Sequence, residues 1–322
     1  MTMDKSLQVK VALCVLLIAG GVVACSGPTD STSHKTASSG TTTHAAAPLS
    51  VAVVNYPLMY FAERIGGPDV VVVFPAPAGG DPAYWDPGPE QIALYQEADL
   101  ILLNGASYAK WVPRVSLPTS RMVDTSASLA DRYIPLTGET THSHGDTGEH
   151  QHGDVAFTTW LDPLQAIAQA QAIQEALTRL RPEAAALFQE RFAALKADLQ
   201  ELDGRLAGVV GQGGSRSLLF SHPVYQYFIR RYEIDGAAVH WEPEEQPTPE
   251  QWDELKALLS AQPARLMVWE GVPDSATVAG LKEQGLESVV FDPCGSVPEE
   301  GDYLSVMRAN MSRLSRALKP AQ

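Results

Sequence analysis

Cysteine is scarce: the three in 322 residues, at positions 14, 25 and 294, are too few and too scattered for a disulfide framework or a cysteine-based zinc site. Basic residues are also few. Against 23 Lys and Arg stand 38 Asp and Glu, and a formal charge of −15 gives no field to hold a nucleic-acid backbone, so nucleic acid is excluded as a partner. Beyond the N-terminal leader no run approaches the roughly 20 apolar residues that span a bilayer as a helix. Enzyme signatures are missing too: there is no G-x-S-x-G elbow, no G-x-x-x-x-G-K phosphate loop, no H-E-x-x-H helix and no dinucleotide fingerprint. The chain is therefore read as no enzyme. What is there is a chain 45% hydrophobic and 19% charged, too apolar for disorder and long enough for one large or two medium domains.

Lys5 and Lys10 precede an apolar run over 11–23, followed by Ala24 and Cys25. Such a short run reads as a signal peptide, not as a membrane span. The small residue before Cys25, with Val22 and Val23 upstream, resembles the lipobox of bacterial lipoproteins, which implies cleavage at 1–24 and a lipid anchor on Cys25. Ordinary secretion with cleavage at a nearby Ala is the alternative. Residues 26–48 are mostly Ser, Thr, Gly and Ala without hydrophobic period, the composition of a flexible tether in which His34 and His44 are solvated. The anchor and tether predict a protein held on the periplasmic or extracellular face of a bacterial membrane.

From 51 onward short apolar runs alternate with helical periods. Strands are expected at 51–54, 70–74, 100–103 and 121–124, with helices near 56–65 and 87–97. A second set follows Gly211: strands at 218–220, 237–240, 266–269 and 288–291, with helices near 224–232, 249–259, 275–284 and 303–318. Alternation of this kind predicts right-handed βαβ units and mainly parallel sheets. Between the sets, Leu187, Phe188, Arg191, Phe192, Leu195, Leu199, Leu202 and Leu206 recur every three or four residues, which predicts a long buried helix over 182–211 opened by Pro182. The fold class is thus α/β, two lobes with mainly parallel sheets joined by one long rigid backbone helix. The expected divisions are the signal peptide 1–24, the tether 25–48, a first lobe 49–162, linking helices 163–213 and a second lobe 214–322.

Ligands of parallel α/β sheets bind beyond the carboxyl ends of the strands. The residues there are 79–89, Ser221 with His222, Glu270 and Asp292. Each alone is as readily a helix cap as a ligand, but an imidazole and two carboxylates at corresponding strand ends suit a divalent transition metal. A second candidate is the segment 141–153, THSHGDTGEHQHG, which holds His142, His144, His150 and His152. Imidazoles at i and i+2 on a flexible loop can reach one ion, although a solvated inert loop is the alternative. Cys294, between Pro293 and Gly295 with no adjacent His to activate it, reads as a buried hydrophobe rather than a nucleophile.

These residues resemble the periplasmic metal-binding proteins of zinc and manganese ABC importers. The likeness runs from about 51 to 318 and rests on NYPLMYFAERIGG from Asn55, DPAYWDPGP from Asp81, ADLILLNG from Ala98, WLDP from Trp160, SHPVYQYFIRRY from Ser221 and GDYLSVMRANMSRL from Gly301, with a His-rich loop before WLDP. The resemblance implies a monomeric metal collector that hands Zn2+, or alternatively Mn2+, to an ABC permease. It also implies three His, or two His and a Glu, plus one acidic residue around the ion. His222 and Asp292 match two of these positions, whereas Ala83 and Thr158 stand where the other two histidines are expected. Three readings follow. The His142–His152 loop folds in to complete a site of His222 and Asp292 with Glu270 close by; or Tyr84, Trp85, Trp160 and His222 line a cleft for a metal chelate or another small ligand; or the protein buffers metal through its loop alone. The first is favoured, and it implies binding that fades below about pH 6 as imidazoles protonate. An adhesin or interaction lipoprotein on the same scaffold is the alternative from another class.

Overall fold

The aliphatic runs Leu49–Val53 (β1), Val70–Val73 (β2), Leu100–Leu103 (β3) and Met122–Asp124 (β4) pair in parallel in the order β2-β1-β3-β4. Their crossovers carry the helices Tyr56–Gly66 (α1) and Pro89–Glu97 (α2). Both helices have proline in the first turn, where a missing N–H costs nothing. Asn55 caps α1 by accepting from Leu58 N at 3.2 Å. This computed structural model describes residues 47–77, 80–136, 141–143, 149–151, 155–212 and 217–319. The proposed lipidation site Cys25, the signal peptide and the tether up to residue 46 lie outside the described residues.

The His-rich segment, expected as a loop, pairs its two arms. Thr141–Ser143 (β5) and Glu149–Gln151 (β6) form an antiparallel ladder in which His142 stands opposite His150. Next comes Pro163–Leu180 (α3), whose cap Asp162 accepts from Leu164 N at 2.9 Å. A 3₁₀ turn, Pro182–Ala184, leads into Ala185–Gln212 (α4), 28 residues and about 42 Å long. Pro182 thus opens the turn before the helix instead of the helix itself. The buried stripe of α4 is Phe188, Phe192, Leu195, Leu199, Leu202 and Leu206, spaced four and three in alternation. Leu187 is not on it. One residue, or about 100° of turn, separates it from Phe188, and it is 48% exposed.

The second sheet is built from Leu218–Phe220 (β7), Gly236–Ala238 (β8), Leu266–Trp269 (β9) and Glu287–Val290 (β10), all parallel, in the order β10-β9-β7-β8. Its helices are Gln226–Arg231 (α5), Pro249–Ala261 (α6), Ser275–Glu283 (α7) and Tyr303–Ala317 (α8). Counted from the first strand of each lobe, both sheets have the order 2-1-3-4. The twofold likeness that sequence repeats do not show is therefore present in the topology.

The backbone helix α4 packs against α1 in the first lobe and α8 in the second. Ion pairs fix it to both. Arg64 of α1 donates to Asp198 at 2.6 Å, while Arg231 of α5 makes a two-pronged pair with Asp203 at 2.9 and 2.5 Å. The lobes also meet directly: Trp160 Nε1 donates to Pro293 O at 2.7 Å, Tyr303 Oη to Trp160 O at 3.0 Å, and Tyr56 N to Gly295 O at 2.9 Å. One hydrophobic core accordingly runs from β1 and α1 through α4 to β7, β9 and α8. A smaller one, around Leu219, Trp241, Met267 and Trp269, covers the other face of the second sheet.

Candidate metal centre

The central strand β7 of the second sheet ends at Phe220 and delivers Ser221 and His222. Ser221 N still donates to Val268 O at 2.8 Å, so β7 stays beside β9 to its tip. On its other side the pairing outlasts β8: Val239 N donates to Phe220 O at 2.9 Å and Trp241 N to Ser221 O at 2.8 Å. These bonds keep 239–241 alongside β7 and carry Glu242 to the same edge. Side chains alternate along strands. Leu219, Trp241, Met267 and Trp269 face the smaller core, so the next positions, Glu242 and Glu270, and His222 two beyond Phe220, share the opposite face.

The consequence is a three-residue cluster. His222 Nδ1 lies 3.5 Å from Glu242 Oε1 and 4.0 Å from Glu270 Oε1, and one ligand atom from each residue lies within 4.8 Å of the others. Donors about 2.1 Å from a tetrahedral ion stand roughly 3.4 Å apart, so small side-chain rotations bring these three onto one cation. His222 is 2% exposed and the two carboxylates are partly buried, which raises the pull of two negative charges on a cation. Among the described residues this is the one such group of His, Cys, Asp or Glu. Beside it lies His240, its ring centroid 5.8 Å from that of His222 at 79°. Burial pushes the His240 imidazole below its ordinary value, with Glu242 and Glu254 pushing the other way.

The first lobe shows what the same geometry holds without charge. Asn55 lies two residues past β1 and Asn104 one past β3, the places that His222 and Glu270 take past β7 and β9. Asn55 Nδ2 donates to Asn104 Oδ1 at 3.0 Å, and Gln169 Nε2 reaches the same oxygen at 3.1 Å. Both asparagines are buried, and this amide network fastens α3 to the sheet.

The zinc-uptake complex component A periplasmic family, ZnuA, matches residues 51–317. The chain belongs to this family. It is similar to the high-affinity zinc uptake system protein ZnuA of Bacillus subtilis, at 25% identity over 96% of each chain. It is also similar to the manganese ABC transporter substrate-binding lipoprotein PsaA of Streptococcus pneumoniae, at 23% identity over 98% of this chain and 99% of the other. In fold it resembles the Zn(II)-bound ZnuA-like domain of Streptococcus pneumoniae AdcA, with a TM-score of 0.71, 21% identity, and coverage of 84% and 98%. These relatives are substrate-binding proteins of metal uptake systems and not enzymes. As a ZnuA-family member the protein is a substrate-binding component of a metal ABC transporter. Among its described residues no helix is long and apolar enough to cross a membrane.

Within this ZnuA-family chain, His222 and Glu270 come together as the strand ends suggested, but Asp292 is not in the group. It follows β10, which lies two strands from β7, a separation of about 10 Å at ordinary strand spacing. Its Oδ1 accepts from Cys294 N at 2.6 Å, and its backbone exchanges bonds with Asn310 at 3.0 and 2.7 Å. Glu242 was missed because it stands four residues past β8; the visible signal was the carboxylate just after the apolar run that ends at His240. Ala83 is fully buried, and Thr158 donates its hydroxyl to Val224 O, two residues beyond His222. Neither supplies a nitrogen. His142 and His150 are paired across the hairpin, while His144 and His152 lie outside the described residues. Cys294 is buried, and burial pushes its thiol well above the ordinary range, in keeping with an inert residue.

Burial also pushes the Asp292 carboxyl above the usual carboxylate range, against the opposing Cys294 amide and Arg313. A raised folded-state value means that the charged form is disfavoured by folding once the pH exceeds the unfolded value. Asp292→Asn is therefore expected to raise the melting temperature at pH 7, with the gain shrinking as the pH falls towards 4. A gain that grows on acidification would contradict this environment.

Proposed function

We propose that the protein captures a divalent transition metal, zinc in the first place, on the end of its second sheet and passes it to an ABC permease. His222, Glu242 and Glu270 are the ligands proposed here. The observation that carries the reading is their meeting within 4.8 Å at the tip of β7. This point lies between the first and third strands of the lobe, the switch point at which parallel sheets bind ligands. One nitrogen and two carboxylates accept zinc, and the carboxylates equally suit manganese, the second cargo considered. On this reading Asp292 supports the edge without binding, and His142, His144, His150 and His152 form an accessory collector. The protein is proposed to act as a monomer anchored through lipidated Cys25.

The test is calorimetric titration of residues 26–322, intact and with 141–153 deleted, with zinc and with manganese. One tight equivalent is expected in both forms, with zinc the stronger as the general order of divalent affinities requires. Loss of the tight equivalent on deletion would overturn the ligand assignment in favour of the histidine loop.

A further inference from the structure

We propose that His240 is the fourth protein ligand of the captured ion. The inference rests on the sheet-end reading above and deepens it. His240 and Glu242 are two residues apart on the segment that Val239 N and Trp241 N tie to β7. Alternation therefore turns both side chains to the face on which His222 and Glu270 stand. The imidazole of His240 already stands nearly perpendicular to that of His222, with centroids 5.8 Å apart. It is not one of the three residues whose donor atoms meet within 4.8 Å, so a side-chain rotation must bring its nitrogen to the ion.

The backbone is set for this. His240 O accepts from Gln251 Nε2 at 3.2 Å, and Gln251 is itself held in the capping box of α6, where Thr248 N donates to Gln251 Oε1 at 2.8 Å. With the main chain anchored on both sides, only the side chain has to turn. Two imidazoles and two carboxylates give four donors, the usual number for zinc held by protein alone, and their two negative charges balance a divalent ion. The whole shell then comes from one edge of one sheet, β7, β9 and the extension of β8. No ligand from the first lobe is needed, which accounts for the tolerance of Ala83 and Thr158.

The experiment is X-ray absorption at the zinc edge on residues 26–322 loaded with one equivalent of zinc. Two imidazoles per zinc are expected, falling to one in His240→Ala and in the better-packing His240→Gln. Zinc affinity should fall at least about tenfold in both, in line with losses on disturbing metal sites. The count should remain two after deletion of 141–153. A count of one in the unmodified protein, an unchanged count in both His240 variants, or a fall to one on deletion of the loop would overturn the proposal. His222→Ala serves as the control: if it keeps one tight equivalent, the sheet-end reading itself fails, independently of His240.

Discussion

His222→Ala is expected to lower zinc affinity by more than about 100-fold, since even an outer partner of a metal site costs roughly 10–100-fold when removed. His222 occupies the tip of the central strand, with Glu242 on one side and Glu270 on the other. Its removal takes away the nitrogen between the two carboxylates and leaves at most three protein donors, short of a closed zinc site. The imidazole is nearly inaccessible to solvent, so its removal leaves a cavity, and a water entering it is a weaker ligand than the lost nitrogen. Glu242→Gln and Glu270→Gln should each weaken binding by about 10–100-fold, because the amide keeps the shape and removes the charge. Isothermal titration with a competing chelator measures all three. Metal-free melting temperatures within a few degrees of the parent distinguish ligand loss from misfolding. An Asp292→Asn variant with parent-like affinity completes the comparison, since that carboxylate lies just past the outer strand β10 and accepts from Cys294 N.

Trp160→Ala is expected to cost about 3–5 kcal/mol of folding stability, the range for deleting a large buried aromatic. The side chain is 1% exposed, its Nε1 donates to Pro293 O across the lobes, and its ring meets Tyr108 edge-on at 5.6 Å. Substitution leaves a cavity and a partly buried carbonyl without its donor. It also releases the 293–295 segment, which Tyr56 N holds through Gly295 O. Trp160→Phe keeps most of the packing and loses the bond, so it should cost less, about 1–3 kcal/mol. Urea denaturation of metal-free protein gives both values. A cost below about 1 kcal/mol for Trp160→Ala would mean that this side chain contributes little to joining the lobes.

The strands of the two parallel sheets were legible because most are short apolar runs bounded by turn residues or a helix start; Leu100–Leu103, Leu218–Phe220 and Leu266–Trp269 match the expected limits. The backbone helix was legible from its three-and-four spacing, apart from Leu187. That residue is apolar and adjacent to the stripe, and periodicity alone does not say which flank faces solvent. The pairing of 141–143 with 149–151 escaped because both segments are polar: backbone pairing there leaves no alternation of apolar and polar residues to read.

The site was half legible for a different reason. Strand ends can be read along the chain, but strand order cannot, and order decides which ends meet. Glu270 and Asp292 look equivalent in sequence, yet β9 neighbours β7 and β10 does not. Glu242 joins the cluster because backbone pairing continues beyond β8, a feature of main-chain hydrogen bonds with little side-chain signature.

Anomalous diffraction at the zinc edge, from crystals of residues 26–322 grown with one equivalent of zinc, tests the central claim most directly. A single strong peak is expected at the tip of β7, within about 2.0–2.2 Å of His222, Glu242 and Glu270 donor atoms. A peak bound by Asp292 instead, or one held only by the histidines of the 141–153 segment, would contradict it.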